Sequence, residues 1–141
     1  MDDLTILNEV HKGVTMGMAS LELVAEKTQD KDLKDDLSFQ YNEYQNTLNT
    51  VNHKFQEQGE IPDDTPVNTK IMGWTGIQLN TLNDTSNSKL SELLIQGYDM
   101  GIIKGVKLLN QNPEASGDVK NILNGFISMQ ENCIDRLKKF L

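Results

Sequence analysis

The stretch formed by residues 88–110, SKLSELLIQGYDMGIIKGVKLLN, decides the fold, because its apolar residues cover most of the circumference of a helix. At about 100° per residue, leucine and tyrosine side chains fall on one broad face, and other apolar side chains fill both flanks. Gly97, Gly101 and Gly105 run up that face at four-residue spacing. A glycine inside a helix costs about 1 kcal/mol relative to alanine, so these three indicate that another helix backbone comes close. The sequence therefore predicts that this is the most buried helix.

Two other long segments have apolar residues three and four positions apart, which is the pattern of bundle helices. The first covers residues 3–27, and the second covers about residues 31–58. Asp30 has the side chain of a helix cap, and Gly59 is a typical residue at a helix end. The short link between the two segments predicts an antiparallel pair of helices.

A short helix and a fourth long helix complete the prediction. Residues 67–82 are apolar nearly all round, and the last helix begins at Ser116 or Asp118 and reaches the carboxyl terminus. If the short helix travels back along the bundle, the chain has a one-crossover topology; if it lies across one end, the bundle is a simple up-down-up-down one. A length of about 24 Å favours the crossover. We therefore expect an all-α fold of four long helices and one short crossover helix, in a single domain spanning residues 1–141.

Composition excludes several classes of partner. A net charge of −8 and a pI near 4.6 argue against nucleic acid and against anionic membrane surfaces. Cys133 is the single cysteine, so no internal disulfide forms. The amino-terminal residues lack the basic start and the apolar run of a signal peptide, and charged residues interrupt residues 88–110. We expect a cytoplasmic protein.

Two segments carry a resemblance to a known class of proteins. They are QYNEY at residues 40–44 in the second helix and QENCIDRL at residues 130–137 in the last. With the order and length of the helices, they resemble rubrerythrin-like and ferritin-like proteins, and more closely the small bacterial bundles grouped with them. The resemblance implies a ferritin-like up-down four-helix bundle. Its catalytic members hold two irons between glutamates on two helices and Glu-x-x-His motifs on the other two.

The positions that would hold such irons carry other residues. The inward pair on the second helix is Tyr41 and Tyr44, and on the last helix it is Gln130 and Cys133, where the resemblance implies Glu and His. The sequence therefore predicts no catalytic, cofactor-binding or metal-binding residue, and no stoichiometric iron or manganese.

Off-pattern ligands are the alternative for a metal centre. Glu22, Glu43 and Asp99 lie far from the centres of their apolar seams, so they are expected to face outward. His53 lies opposite its seam, whereas His11 lies at a seam edge and is more typical of a structural histidine than of a ligand.

The inward polar residues admit two interpretations. Tyr41, Tyr44 and Gln130 either form a hydrogen-bonded layer that fixes the register of the helices, which we favour, or line a ligand pocket. Cys133 is expected to be a buried, unreactive thiol with a raised pKa.

Three functions remain open. The first is a non-catalytic interaction or scaffold module that forms a homo-oligomer or binds another protein, and an exposed apolar strip on the short helix would support it. The second is a di-metal oxidoreductase or metal-storage protein that uses the off-pattern ligands. The third is a carrier of a small apolar ligand in a cavity bordered by the glycines. Gly13 and Gly17 on the first helix repeat the glycine spacing and either face the glycines of residues 88–110 or are merely tolerated.

Overall fold

The computed structural model of the chain describes residues 2–63 and 74–141, and these residues form helices and loops without a strand. The elements are α1 (Asp2–Lys27), α2 (Lys31–Glu57), α3 (Trp74–Asn80), α4 (Asn87–Gln111), α5 (Gly117–Leu137) and a terminal 3₁₀ turn (Lys138–Phe140). The predicted all-α fold with four long helices and one short one is confirmed. Of the short helix predicted over residues 67–82, positions 67–73 lie outside the described residues.

Local side-chain chemistry sets where the long helices begin and end. Asp30 accepts a hydrogen bond from the backbone N–H of Leu33, and Ser116 accepts one from the N–H of Val119, so both act as N-caps. Gly59 has a φ of 65°, the left-handed conformation that follows a helix end and favours glycine. The last helix ends at Leu137 and does not reach the carboxyl terminus as a regular α-helix.

Contacts between helix ends fix the topology. The Thr28 hydroxyl donates to Oδ1 of Asn87 at 3.1 Å, so α4 begins where α1 ends. At the opposite end, Nζ of Lys54 lies 3.3 Å from Oδ2 of Asp118, which places the end of α2 beside the start of α5. Helices α2 and α4 therefore run parallel, and the connection between them returns along the length of the bundle. This is the one-crossover topology favoured by the sequence.

At the glycines of α1 and α4, the close neighbours are side chains of other helices, where we expected a helix backbone. A Cβ atom added to Gly17 would meet the ring of Tyr44, and one added to Gly105 would meet the side chain of Ile127 at 2.8 Å. At Gly101 the neighbour is the side-chain amide of Gln130. The prediction of a close backbone approach is wrong at these positions, because bulky side chains of α2 and α5 fill the space that the glycines leave.

Helix α4 is also less enclosed than predicted. Met100, Ile103 and Val106 are 49%, 56% and 42% exposed, whereas α5 buries residues along nearly its whole length. The prediction that α4 is the most buried helix is wrong. Its neighbours α1, α3 and α5 cover one side and leave an apolar stripe on the other. Among residues 2–63 and 74–141, no helix combines the length and apolar character needed to cross a membrane.

The crossover can be tested by chemical cross-linking. We expect cysteines placed at positions 28 and 87 to be joined within one chain by a short bismaleimide, because the native side chains touch. Cysteines at positions 28 and 111 serve as the control, since α4 is about 36 Å long and separates them. Mass spectrometry of tryptic fragments distinguishes the two results. Efficient linking of 28 to 111 and none of 28 to 87 would contradict the topology.

Candidate functional site

A chain of polar groups, buried except for Arg136, runs from one end of the bundle to its centre. Arg136 places Nη2 2.7 Å from Oδ1 of Asp36, and Gln40 donates from Nε2 to the other carboxylate oxygen at 2.6 Å. The Tyr98 hydroxyl then donates to Oε1 of Gln40 at 2.6 Å. Asp36, Gln40 and Tyr98 are 4%, 0% and 4% exposed. These four residues, here called the polar chain, connect α5, α2 and α4.

Aromatic rings surround the inner end of the polar chain. Tyr44 stacks on Tyr98 with ring centroids 6.1 Å apart, and Phe126 meets Tyr44 edge to face at 5.9 Å. Burial raises the pKa of both tyrosine hydroxyls well above the usual value. Both phenols therefore stay protonated and act as hydrogen-bonding groups, not as anions.

Cys133 borders the same region from α5. Its side chain is buried, and Sγ lies 3.8 Å from Sδ of Met129. Burial raises the pKa of the thiol to about 12, and the neighbouring Tyr98 hydroxyl only partly opposes this effect. The thiol is thus a buried group of low reactivity, as the sequence predicts.

Of the predicted polar cluster, Tyr44 and Gln130 are buried as expected, whereas Tyr41 is not fully buried. The Tyr41 hydroxyl lies at the surface and donates to Oε1 of Glu22 at 3.0 Å. Gln40, the residue before it, is buried instead of Tyr41. Sequence reasoning missed a signal that was present: Asp36, Gln40 and Tyr44 follow one another at four-residue spacing, so they lie on one face of α2.

The centre of the bundle presents phenols, amides and a thiol, and these groups do not fit two irons. The buried carboxylate nearest to it, Asp36, is already paired with Arg136 and bonded to Gln40. Within residues 2–63 and 74–141, no three His, Cys, Asp or Glu side chains come together in a way that could hold a metal ion. A di-iron centre of the type implied by the resemblance needs carboxylates and imidazoles from four helices.

The off-pattern ligands are not brought together. Glu22 and Asp99 are exposed, and Glu43 is half-buried. His11 packs edge to face against Phe55 with ring centroids 6.3 Å apart, and burial lowers the pKa of its imidazole. The side chain of His53 is 73% exposed beside Glu57, in agreement with its predicted outward position.

A second feature is a cavity of about 290 Å³ between α1 and α4, here called the α1–α4 cavity. Glycines border it on both sides, but Gly13 and Gly17 pack against the side chains of Phe126 and Tyr44 and not against the glycines of α4. The bordering glycines are Gly13, Gly17, Gly76, Gly97, Gly101 and Gly105. Tyr44, Phe126 and Gln130 lie at its inner side. Leu94, Leu108 and Leu123 make much of the remaining wall apolar.

An ion pair stands at the edge of this cavity. Nζ of Lys104 on α4 lies 2.7 Å from Oε2 of Glu9 on α1. Both residues line the cavity. The two charges neutralise each other, so the cavity presents no net charge from this pair.

Two tyrosines test the energetic role of the polar chain. We expect Tyr98→Phe to lower the free energy of unfolding by about 1–3 kcal/mol, because it leaves the buried Oε1 of Gln40 without its donor. Tyr41→Phe is the matched control and should cost less than about 0.5 kcal/mol, since its hydroxyl bonds at the surface. Urea unfolding followed by circular dichroism measures both. Equal losses of unfolding free energy in the two variants would contradict the assignment of Tyr98, and not Tyr41, to the polar chain.

The thiol gives a second test. With its pKa raised from 9.0 to about 12, native Cys133 should react with a disulfide reagent near pH 8 far more slowly than the same thiol in guanidinium. The difference in thiolate fraction alone is about 1,000-fold. Absorbance of the released thiol follows the reaction. Equal rates in the native and unfolded protein would show that Cys133 is accessible and normally acidic.

No protein-family model matches the sequence, and no curated protein is significantly similar to it. Among solved structures, the chain is similar to a dodecameric thioferritin, the bacterioferritin-related protein from Bacteroides fragilis. The match has a TM-score of 0.71 and covers 96% of this chain and 83% of that chain, with 7% sequence identity. At this identity the similarity concerns the fold alone. The chain therefore has the fold of a ferritin-like four-helix bundle.

Proposed function

We propose that this protein is a non-catalytic, cytoplasmic ferritin-like bundle that acts as an interaction or scaffold module and assembles with further copies of itself. The observation that carries the proposal is the apolar stripe on α4. Met100, Ile103 and Val106 are 49%, 56% and 42% exposed, and they follow one another at three-residue spacing. Exposed apolar side chains in a row mark an interaction surface more often than scattered ones do.

The surroundings of the stripe favour a second copy of the chain as its partner. Asp99 lies four residues before Ile103, and Lys107 lies four residues after it, and all three are exposed. In a two-fold antiparallel pairing of α4 centred on Ile103, Asp99 of each copy faces Lys107 of the other. Met100 faces Val106 in the same way. Gln96 and Asn110 extend this self-complementary pattern at its two ends.

The charged residues beside the stripe and the assembly of a similar protein both support a second copy of the chain as the partner. Asp99 and Lys107 form no ion pair within residues 2–63 and 74–141, so both are available to a second copy. The similar thioferritin is a dodecamer, so this fold is compatible with assembly. A stable interface buries about 800 Å² on each partner, and three side chains supply only its centre. The net charge of −8 argues against nucleic acid or an anionic membrane as the occupant.

The absence of catalysis is supported by the residues at the bundle centre. A neutral tyrosine pair lies at the bundle centre, and the buried carboxylate of Asp36 is already paired with Arg136 toward the end of the bundle. From the sequence, an exposed apolar strip on the short helix would support this function. Positions 67–73 of that helix lie outside the described residues, and the stripe on α4 supports the proposal instead.

The interface is tested by a single substitution. We expect the native protein to be a dimer or larger assembly in light scattering, and Ile103→Glu to weaken self-association at least about tenfold, because it places an unpaired charge at the interface centre. Ile61→Glu is the control, since Ile61 is 84% exposed and isolated from the stripe. A native protein that is monomeric at high concentration would overturn the proposal.

Charge reversal tests the antiparallel arrangement. Asp99→Lys and Lys107→Asp should each weaken the assembly, because each places like charges opposite one another at two symmetric contacts. The double variant Asp99→Lys/Lys107→Asp should restore it. Sedimentation velocity measures all three. A double variant as weak as either single variant would contradict the pairing.

A di-metal oxidoreductase or metal-storage protein using Glu22, Glu43, Asp99 and His11 is the competing function. Elemental analysis and titration with ferrous iron decide between this metal-binding function and the non-catalytic one. We expect no stoichiometric metal, no new absorbance band and no oxygen consumption. About two metals per chain, the number that di-iron relatives hold, would overturn the non-catalytic proposal.

A further inference from the structure

We propose that the α1–α4 cavity is a binding site for a neutral, flat aromatic compound of two or three fused rings that carries one N–H or O–H donor. This inference goes beyond the proposed function and does not depend on self-assembly. It rests on four properties of the cavity: its size, its walls, one buried amide and the neutral pair at its edge.

The volume fits a small fused-ring compound. The cavity measures about 290 Å³. An apolar cavity of about 150 Å³ inside a helical protein holds one benzene, and drug-sized ligand pockets begin near 300 Å³. A two-ring or three-ring aromatic therefore matches the available space, whereas a long acyl chain or a nucleotide exceeds it.

The walls suit a flat molecule. Gly13 and Gly17 line the cavity from α1 and Gly101 lines it from α4, but the space of their missing Cβ atoms is taken by the side chains of Phe126, Tyr44 and Gln130. These side chains, and not an empty slot at the glycines, form this part of the wall. Tyr44 and Phe126 at the inner side offer aromatic surface for stacked or edge-to-face contact.

One buried polar group inside the cavity lacks a complete set of partners. Gln130 is 3% exposed, and its Nε2 donates to the Phe126 carbonyl at 3.4 Å. This bond orients the amide and leaves Oε1 beside Gly101 at the cavity wall. Within residues 2–63 and 74–141, Oε1 accepts no hydrogen bond. It is not among the fully enclosed atoms that lack a partner, so it is open to the cavity and can accept a hydrogen bond from a ligand N–H or O–H.

The edge of the cavity disfavours charged ligands. The charged residues of its described lining are Glu9, Lys12 and Lys104; Lys104 lies 2.7 Å from Glu9, and Lys12 also has an interaction partner. An anion or a cation entering beside Lys104 and Glu9 would have to break this pair and lose its own hydration. A neutral compound meets neither cost.

Indole and benzofuran are matched probes, because they have the same shape and only indole carries an N–H donor. We expect both to bind the full chain in calorimetric titration, with indole about fivefold tighter, the effect of one hydrogen bond of about 1 kcal/mol. Gln130→Leu should abolish this preference while benzofuran still binds. Binding of neither probe, or an unchanged preference in Gln130→Leu, would overturn the proposal.

Filling the cavity provides an independent test. Ser20 lines the cavity, so Ser20→Phe should weaken both probes at least about tenfold. Met16→Trp, which fills the same space from another position on α1, serves as a second variant if the first does not fold. Ser38→Phe is the control, because Ser38 is exposed on α2 and does not line the cavity.

The outcomes separate this proposal from the proposed function. If Ser38→Phe weakens binding as much as Ser20→Phe, the probes bind elsewhere and the cavity proposal fails. Repeating the titration with Ile103→Glu keeps the two questions apart, because Ile103 does not line the cavity. We expect that variant to lose self-association and to keep its affinity for indole.

Discussion

The hydrogen bond from Tyr98 to Gln40 is the contact on which the interior of the bundle depends. It joins α4 to α2 across the bundle, and both groups are buried. Because a buried amide without a partner is costly, a slip of either helix along its axis loses this bond and leaves Oε1 of Gln40 without its donor. The polar chain therefore fixes register where apolar packing alone would tolerate small shifts. Arg136 closes it at the end of the bundle and balances the buried charge of Asp36.

Within the described residues, the interior around Tyr44 and Tyr98 is built from groups that stay neutral. A metal centre needs ionised carboxylates held at the core, whereas Tyr44 and Tyr98 are kept neutral by burial. The polar chain of Arg136, Asp36, Gln40 and Tyr98 connects α5, α2 and α4.

Glycine gives α4 two different sides. Toward α5, Gly101 and Gly105 make room for Gln130 and Ile127, and toward α1 the helix lines the α1–α4 cavity. Ile103 and Val106 are exposed and do not line the cavity, whereas the exposed Met100 also lines it. The apolar circumference of α4 thus reflects three environments: a packed face, a cavity wall and an exposed stripe.

The sequence by itself determined the helices, their caps at Asp30 and Ser116, and the all-α class, because these depend on residues close together in the chain. It also favoured the crossover, from the length of the short helix. It did not identify Gln40 and Asp36 as interior residues, and it placed Tyr41 inside. Tertiary structure decided these matters, since one step along a helix turns a side chain by about 100° and only the neighbouring helices define which direction is inward. For the same reason, whether the apolar and glycine residues of α4 meet a helix, a cavity or solvent was settled by packing between helices.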